Sequence, residues 1–574
     1  MSRLIRALVP ALLVLGVLAT PASAQEDQAF KMDRLFTSPN QATNSDFAFW
    51  GNHVFSGYYT ASDTGEPPGT GPRGGVRIFD ISNPAAPQLV KDIQCDGLQA
   101  DPIVWDRNGN GVADLLLVAV DRTMDGPDCG DARSMRPNPD FPNPEDPDEP
   151  EFIPFHENPN GWEGVRVFEL SDDPDNPFQT VTQVDAQYTD CGAHTITAWT
   201  GRVESHNELI VYVSSYPLRP GPTCGVTHEG SPIPPHQNVN NPFEEPADRE
   251  VENPLHGVIQ VLRVPLDNPE DTTEIAEPEL SYPGDPDGKM EWAEKGQPAP
   301  PAREPAAIAC HDIVTHMEHN LAGAACAEQG QVWNIDPDTG IPDTENPISI
   351  GDDEVSSGGT GQFPGAVDFF HSVMFNNDGT VVNWVDESFG SGCPPMTEYQ
   401  PRPWNPAGGT HKTGRMFFTD LEGNFLSEFH VGDLRPDARE GEYCSAHMGM
   451  TVTGIKKDLL VNAWYTGGVD VIDFSKPTRL KEVAYYDPVA QTGTWSAYPY
   501  TGPLFKTGPG VPVYASDGVE DNANSRGMEV YRAIVQKPGR PALVDHLNPQ
   551  TMDHEMMSGG GMGKSKGRGK GKAH

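Results

Sequence analysis

Short runs of alternating apolar and polar residues, most of them entered through a glycine, recur along this chain. GGVRIFDISNPAAPQLV at 74–90 returns as EGVRVFELSDDPDNPFQTV at 163–181, HGVIQVLRVPLDNP at 256–269, GQVWNIDPDTG at 330–340, GRMFFTDLEGN at 414–424, GGVDVIDFSKPTRLKEV at 467–483 and GMEVYRA at 527–533. A period of two followed by a turn rich in Asp, Asn and Pro predicts a strand running into a tight turn. Upstream of each run lies a pair of further strand candidates, at 45–59, 101–121, 194–215, 311–328, 371–388, 447–465 and 495–516. Small sheets of this kind bury their faces only against their neighbours, so the copies must close on one another. The expected architecture is an all-β seven-bladed β-propeller with long Pro-rich surface loops. A string of immunoglobulin-type sandwiches is the rival, and the single rhythm of inner strands counts against it.

Composition fits this picture: 59 Gly and 57 Pro with only 36% hydrophobic residues point to many turns around a β core and away from a helical bundle. Pro-rich acidic insertions at 137–162, around 217–255, at 270–305 and at 394–409 cannot continue a sheet ladder and are expected as surface loops, the large ones on one face. The first 24 residues place Arg3 and Arg6 before a short apolar run and the small-residue site Ala22-Ser23-Ala24, the form of a secretory signal. The expected organisation is a signal peptide at 1–24, an N-terminal extension at 25–44, the propeller at 45–545 and a disordered Gly/Lys-rich tail at 546–574. That organisation implies a secreted or periplasmic protein with no membrane span. The basic end of the tail is a solvated terminus or a contact to an anionic cell envelope. A net charge of −44 argues against nucleic acid as a partner.

The repeats resemble the LVIVD-repeat family of secreted or surface propellers, most sharply at Gly75–Pro84, Gly164–Pro174 and Gly468–Pro477. The third, fifth and seventh copies depart from the Asp-x-Ser-x-x-Pro turn. The resemblance implies the fold and no single activity.

Aligned at the start of the innermost strand, the repeats carry Ser45 or Asp46, Asp101, His194, His311, His371, His447 and Trp495. Inner strands of a propeller surround its axis, so four consecutive histidines there could converge on one copper, iron or zinc ion. Asp101 is expected as an oxygen ligand or as the group that orients an imidazole. His316 should point to the other side of its strand, and His319 should fall in the following turn. By fold-level analogy, propellers holding iron or copper through axial histidines include carotenoid-cleaving oxygenases and the selenium-binding-protein type of methanethiol oxidase. The pattern of neither is present here. The bland alternative is that the histidines belong to the repeat and join blades by hydrogen bonds.

A second candidate is DRNGNGVAD at 106–114, which looks like the calcium loops of FG-GAP-type propellers, with Asp106, Asn108, Asn110 and Asp114 as oxygen ligands and Gly111 at the turn. Leu117 stands where a twelfth-position Glu would be, and an ordinary Asn-Gly hairpin turn explains the same residues. The even set of eight cysteines is expected to form four disulfides. Of 105 possible pairings the spacing favours neighbours: Cys95 with Cys129, Cys191 with Cys224, Cys310 with Cys326 and Cys393 with Cys444. Two functions follow: a binding scaffold for a protein or small-molecule ligand, or a metal-dependent copper or iron oxidoreductase centred on the four histidines.

Overall fold

A computed structural model describes residues 27–39, 43–59, 74–137, 142, 152–157, 161–189, 192–215, 258–280, 310–326, 329–352, 369–387, 414–434, 444–453, 455–488, 493–502, 510–517, 526–535 and 544–553. These form a seven-bladed β-propeller. Blade 1 runs from the axis outward through Thr43–Trp50, His53–Tyr59, Gly74–Asp80 and Gln88–Gln94, and blade 2 through Pro102–Trp105, Leu115–Met124, Trp162–Leu170 and Val181–Tyr188. Blade 3 comprises Thr195–Trp199, Glu208–Ser214, Gln260–Pro265 and Thr273–Ala276; blade 4 comprises Asp312–His316, Leu321–Cys326, Gln329–Asn334 and Ser349–Asp352. Blade 5 follows with Phe370–Phe375, Val381–Asp386, Met416–Asp420 and Phe425–Phe429, then blade 6 with Gly449–Thr451, Leu459–Ala463, Val469–Asp473 and Lys481–Asp487. Each inner strand packs against the inner strands of the adjacent blades, and blade 7 meets blade 1.

The repeat glycines have a steric cause. Gly75 and Gly164 sit at φ of +146° and +152°, and a Cβ there would lie 1.9 Å from the Ile93 carbonyl oxygen and 2.0 Å from that of Gln187. Only glycine lets the third strand pass the fourth so closely. The Asp-x-Ser turn that follows closes on itself: the Ser82 amide donates to Asp80 at 2.7 Å and the Ser475 amide to Asp473 at 3.2 Å. Between blades the core is filled by Trp199, Trp333, Trp384 and Trp464, all fully buried. Truncating any of them to Ala would cost about 3–5 kcal/mol.

Both chain ends differ from expectation. The segment read as an N-terminal extension supplies two strands: Met32–Pro39 is the outer strand of blade 7, beside Thr494–Pro499, Val511–Asp517 and Arg526–Ala533, while Gln28–Phe30 extends blade 6. The reason is topological, since the last Gly-led strand has no outer partner downstream and the ring closes with the other end of the chain. The segment read as the start of a disordered tail is also built in. His546–Leu547 pairs antiparallel with the inner strand of blade 1, and Thr551–Met552 pairs parallel with that of blade 4. The four tail residues His546, Leu547, Thr551 and Met552 thus complete the exposed edges of inner strands, which otherwise lack partners. Two of the expected loops also contain strands: Thr273–Ala276 closes blade 3, and Phe152–Glu157 pairs with Met135–Pro137. The signal peptide, most of the four insertions and the tail from 554 onward lie outside the described residues. Among the described residues no helix is long and apolar enough to cross a membrane.

Each inner strand runs from the end where the histidines sit to the end where the C-terminal segment crosses. Connections after the second and fourth strands of a blade therefore leave from the histidine end, and the short turns after the first and third strands lie at the other.

Candidate metal centre

His194 and His311 immediately precede the inner strands of blades 3 and 4, His371 is the second residue of that of blade 5, and His447 sits just before that of blade 6. All four are buried. Neighbouring rings touch in order, with centroids 4.5 Å apart for His194 and His311, 4.0 Å for His311 and His371, and 4.0 Å for His371 and His447. The inner strands that carry them are locked to one another through side chains. Thr195 and Thr197 donate to the carbonyls of His311 and Ile313, and Thr315 donates back to Ala198, at 2.6–2.8 Å. Those bonds satisfy edge carbonyls that no further strand could reach.

In three of the four imidazoles Nδ1 is held. His194 Nδ1 donates to Asp121 Oδ2 at 2.5 Å, His311 Nδ1 to the His371 carbonyl at 3.0 Å, and His447 Nδ1 to the Trp495 carbonyl at 2.5 Å. A carbonyl can only accept, so the proton of a neutral ring sits on Nδ1 and the lone pair on Nε2. The Nε2 atoms of His194 and His311 are 2.9 Å apart. Burial lowers all four ring pKa values, that of His194 to about 3.

Beyond His371 the ring meets a carboxylate that sequence reading missed. Glu387 Oε2 is 3.5 Å from His371 Nε2, its Oε1 is 3.8 Å from His447 Nε2, and Tyr465 donates its hydroxyl to Oε1. Burial pushes the Glu387 carboxyl up to about 8, against the lowering effect of the Tyr465 bond. His371, Glu387 and His447 each offer a ligand atom within 4.8 Å of the others, the one such group among the described residues. Tyr465 packs edge-on and Trp495 tilted against His447, at centroid distances of 4.8 and 4.6 Å.

Asp101 stands elsewhere. It is fully buried, but its Oδ2 accepts the Ile196 amide at 2.8 Å, so it latches blade 2 to blade 3 and touches no imidazole. The carboxylates that reach the histidines, Asp121 and Glu387, come from the far ends of second strands, which lie level with the start of the inner strand. His316 points away from the ring, with Nε2 3.2 Å from the Asn377 carbonyl. Two expected disulfides, Cys95–Cys129 and Cys310–Cys326, are formed, and the second ties the residue before His311 to the end of its neighbouring strand. Cys444, three residues before His447, is disulfide-bonded; Cys191, Cys224 and Cys393 lie outside the described residues.

The 106–114 loop closes as a hydrogen-bonded turn. Asp106 accepts the amides of Gly109 at 2.7 Å and Gly111 at 2.6 Å, Asp114 is taken up by Arg107 at 3.2 Å, and Asn108 and Asn110 both donate to Asp172. The two carboxylates expected to face calcium are therefore engaged by protein donors. The loop spans nine residues between the paired Trp105 and Leu115, longer than the two-residue Asn-Gly hairpin turn.

At the opposite end the axis is closed by the chain itself. Asn548 both accepts the Val104 amide at 2.8 Å and donates to its carbonyl at 3.0 Å, Gln550 donates to Tyr498 at 2.9 Å, and Thr551 donates to Ala198 at 3.2 Å. Residues 545–553 thus engage blades 1, 2, 3, 4 and 7 and close this end of the axis, whereas among the described residues no strand crosses the histidine end.

No protein-family profile matches the chain. No curated protein matches it in sequence. Solved structures with similar backbones include Sqt1 from Chaetomium thermophilum bound to the N-terminus of the ribosomal protein L10, at 12% identity over 84% of this chain and 87% of that one, with a TM-score of 0.42. Sqt1 solved in another crystal structure gives 11%, 87%, 90% and 0.41, and the Dos1 propeller gives 10%, 88%, 96% and 0.38.

Proposed function

We propose that this chain is a metal-dependent oxidoreductase whose iron or copper ion is held on the propeller axis by His371, Glu387 and His447, the group whose ligand atoms lie within 4.8 Å of one another, and that His194 and His311, the next two imidazoles in the row, turn onto the same ion. The observation that carries this reading is the buried His371, Glu387 and His447 group; beside it His194 Nε2 lies 2.9 Å from His311 Nε2. Each ring commits its Nδ1 proton elsewhere, so two lone pairs face each other in a buried site. A hydrogen bond between them needs His194 in the other tautomer with Asp121 protonated, whereas a cation between them needs no such change. Burial disfavours a proton in that role at neutral pH, which leaves a metal ion. Imidazoles whose other nitrogen donates to a carboxylate or a backbone carbonyl are the usual metal-ligating arrangement.

Four imidazoles saturate tetrahedral zinc, whereas iron and copper accept further ligands and keep a position for a reactant. The bound ion would supply the electron-transfer chemistry. The protein's own groups do the rest. Asp121 and the carbonyls of His371 and Trp495 fix the rings. Burial raises the Glu387 carboxyl pKa to about 8 and Tyr465 donates to it, so this carboxyl would exchange its proton for the ion on metal binding. Substrate reaches the site from the histidine end, where the inserted loops begin. The signal-like N-terminus and the LVIVD-like repeats favour an exported protein. A second reading, a binding scaffold for a protein or small-molecule ligand, draws support from the gathering of the insertions at that same end, and it needs no transition metal.

The test is elemental analysis by plasma mass spectrometry of the mature protein, purified without chelator or histidine tag. The expected result is a single iron or copper per chain, lost in the His311→Ala/His447→Ala double variant while the far-ultraviolet circular dichroism is unchanged. Full metal content in the double variant, or no iron or copper in the wild type, overturns the proposal.

A further inference from the structure

At the level of the histidines or one residue beyond it, the inner strands also carry carboxylates. Asp46 of blade 1, Asp101 of blade 2 and Asp312 of blade 4 are buried at 1%, 0% and 0% exposure. Tyr498 of blade 7 donates to Asp46 Oδ1 at 2.7 Å and lies within electrostatic reach of all three carboxylates. Among the described residues none of the three forms an ion pair with a lysine or arginine. Asp101 uses one oxygen on the Ile196 amide, and its other oxygen has no hydrogen-bond partner. Neither oxygen of Asp312 makes a hydrogen bond of ordinary geometry, although the amides of Ile313 and Val373 lie close by.

A group of another kind points the same way. Gln550 reaches in from the segment that closes the axis, donating Nε2 to the Tyr498 hydroxyl at 2.9 Å, and its Oε1 is buried without a partner. Unpartnered acceptor oxygens on Asp101, Asp312 and Gln550, taken from three separate parts of the chain, are therefore gathered around one tyrosine. Buried acceptors are costly unless something donates to them or binds them. Without a cation, burial raises the carboxyl pKa values of Asp46, Asp101 and Asp312 and favours their neutral forms, so a bound cation would compete with protons for these oxygens.

We propose that this girdle holds a hydrated hard cation of the calcium class, separate from the metal carried by the histidines. Calcium takes six to eight oxygen ligands, waters among them. Carboxylate, amide carbonyl and water oxygens select it over copper or zinc, which prefer nitrogen and sulfur. The three carboxylates are not drawn within 4.8 Å of one another as the His371, Glu387 and His447 group is. Waters therefore complete the shell and bridge between blades. The cation would tie blades 1, 2, 4 and 7 to the C-terminal segment, joining the chain's end to the ring around which it is wound.

The experiment titrates calcium chloride into chelator-treated mature protein, reading Tm and bound calcium, and repeats this with Asp46→Asn and Asp101→Asn. Both substitutions are isosteric and keep an acceptor for Tyr498 and for Ile196. Calcium should raise the Tm of the wild type, and each variant should bind it at least about tenfold more weakly, a change worth about 1.4 kcal/mol. Iron or copper content should be unaltered in both, so this test succeeds or fails independently of the histidine site. No calcium binding at millimolar concentration overturns the proposal, as does equal binding by both variants, which would put the ion elsewhere. Should the variants not fold, terbium emission sensitised by Tyr498 reads the same site. Emission unchanged in Tyr498→Phe also overturns the proposal.

Discussion

The two ends of the propeller axis both use histidine, to opposite effect. At the open end, burial holds the rings neutral: His194 is lowered to about 3 although Asp121 faces its Nδ1. At the closed end His546 lies between two carboxylates, 2.8 Å from Asp545 and 3.4 Å from Asp553, with Trp50 stacked 4.6 Å from its ring, and its pKa is raised to about 9. Neutral rings that expose lone pairs to one another make a ligand set. A charged ring between two acids makes a clamp. The difference lies in how many carboxylates face the imidazole, which the residue type alone does not reveal.

The comparison breaks most visibly on pH. A lowered folded-state pKa at His194 means stability present above about 6.5 and lost as pH falls toward about 3. The raised value at His546 means stability present in full below about 6.5 and lost as pH rises through about 9. The clamp is worth on the order of 3 kcal/mol when fully charged. His546→Gln should therefore destabilise the protein by roughly that amount at pH 6 and by little at pH 10, measured by chemical denaturation. An alkaline loss of stability that survives the substitution would show that the clamp does not hold the closed end.

A smaller effect is expected at the open end from Asp121→Asn. The asparagine still accepts from His194 Nδ1 but no longer carries charge. Loss of a partner behind a metal-ligating imidazole typically lowers metal affinity by about 10–100-fold, so competition with a chelator should show a drop in that range with the fold intact. Unchanged affinity would mean that His194 is oriented by its strand alone and that Asp121 is a bystander.

Much of this was legible in the chain. The Gly-led runs mark the third strands because Gly75 and Gly164 cannot carry a side chain, and the histidine alignment holds because the inner strands share one register. What escaped has physical reasons. Asp121 and Glu387 end second strands, and only an alignment of those strand ends, which also includes Tyr465 and Asp517, would have set them beside the ring. Asp101 has the right residue type at the right level, but the free amide of Ile196 lies nearer than any imidazole. The closing segment at 545–553 carries no long apolar alternation, because it binds through single side chains such as Asn548 that mimic a strand partner.

The finest test of the open end concerns its proton. Tyr465 donates to Glu387 and lowers its pKa, so Tyr465→Phe should raise that pKa above its present value of about 8. If metal binding expels the Glu387 proton, the apparent affinity of the wild type climbs with pH until that carboxyl is ionised. In Tyr465→Phe the climb should continue to higher pH, leaving affinity near neutrality lower by less than about tenfold, as expected from the loss of one hydrogen bond worth about 0.5–1.5 kcal/mol. Superimposable affinity profiles would detach Glu387 from the metal equilibrium. The carboxylate would then be a strut beneath His371 and His447, and the open end would bind its ion through imidazole alone.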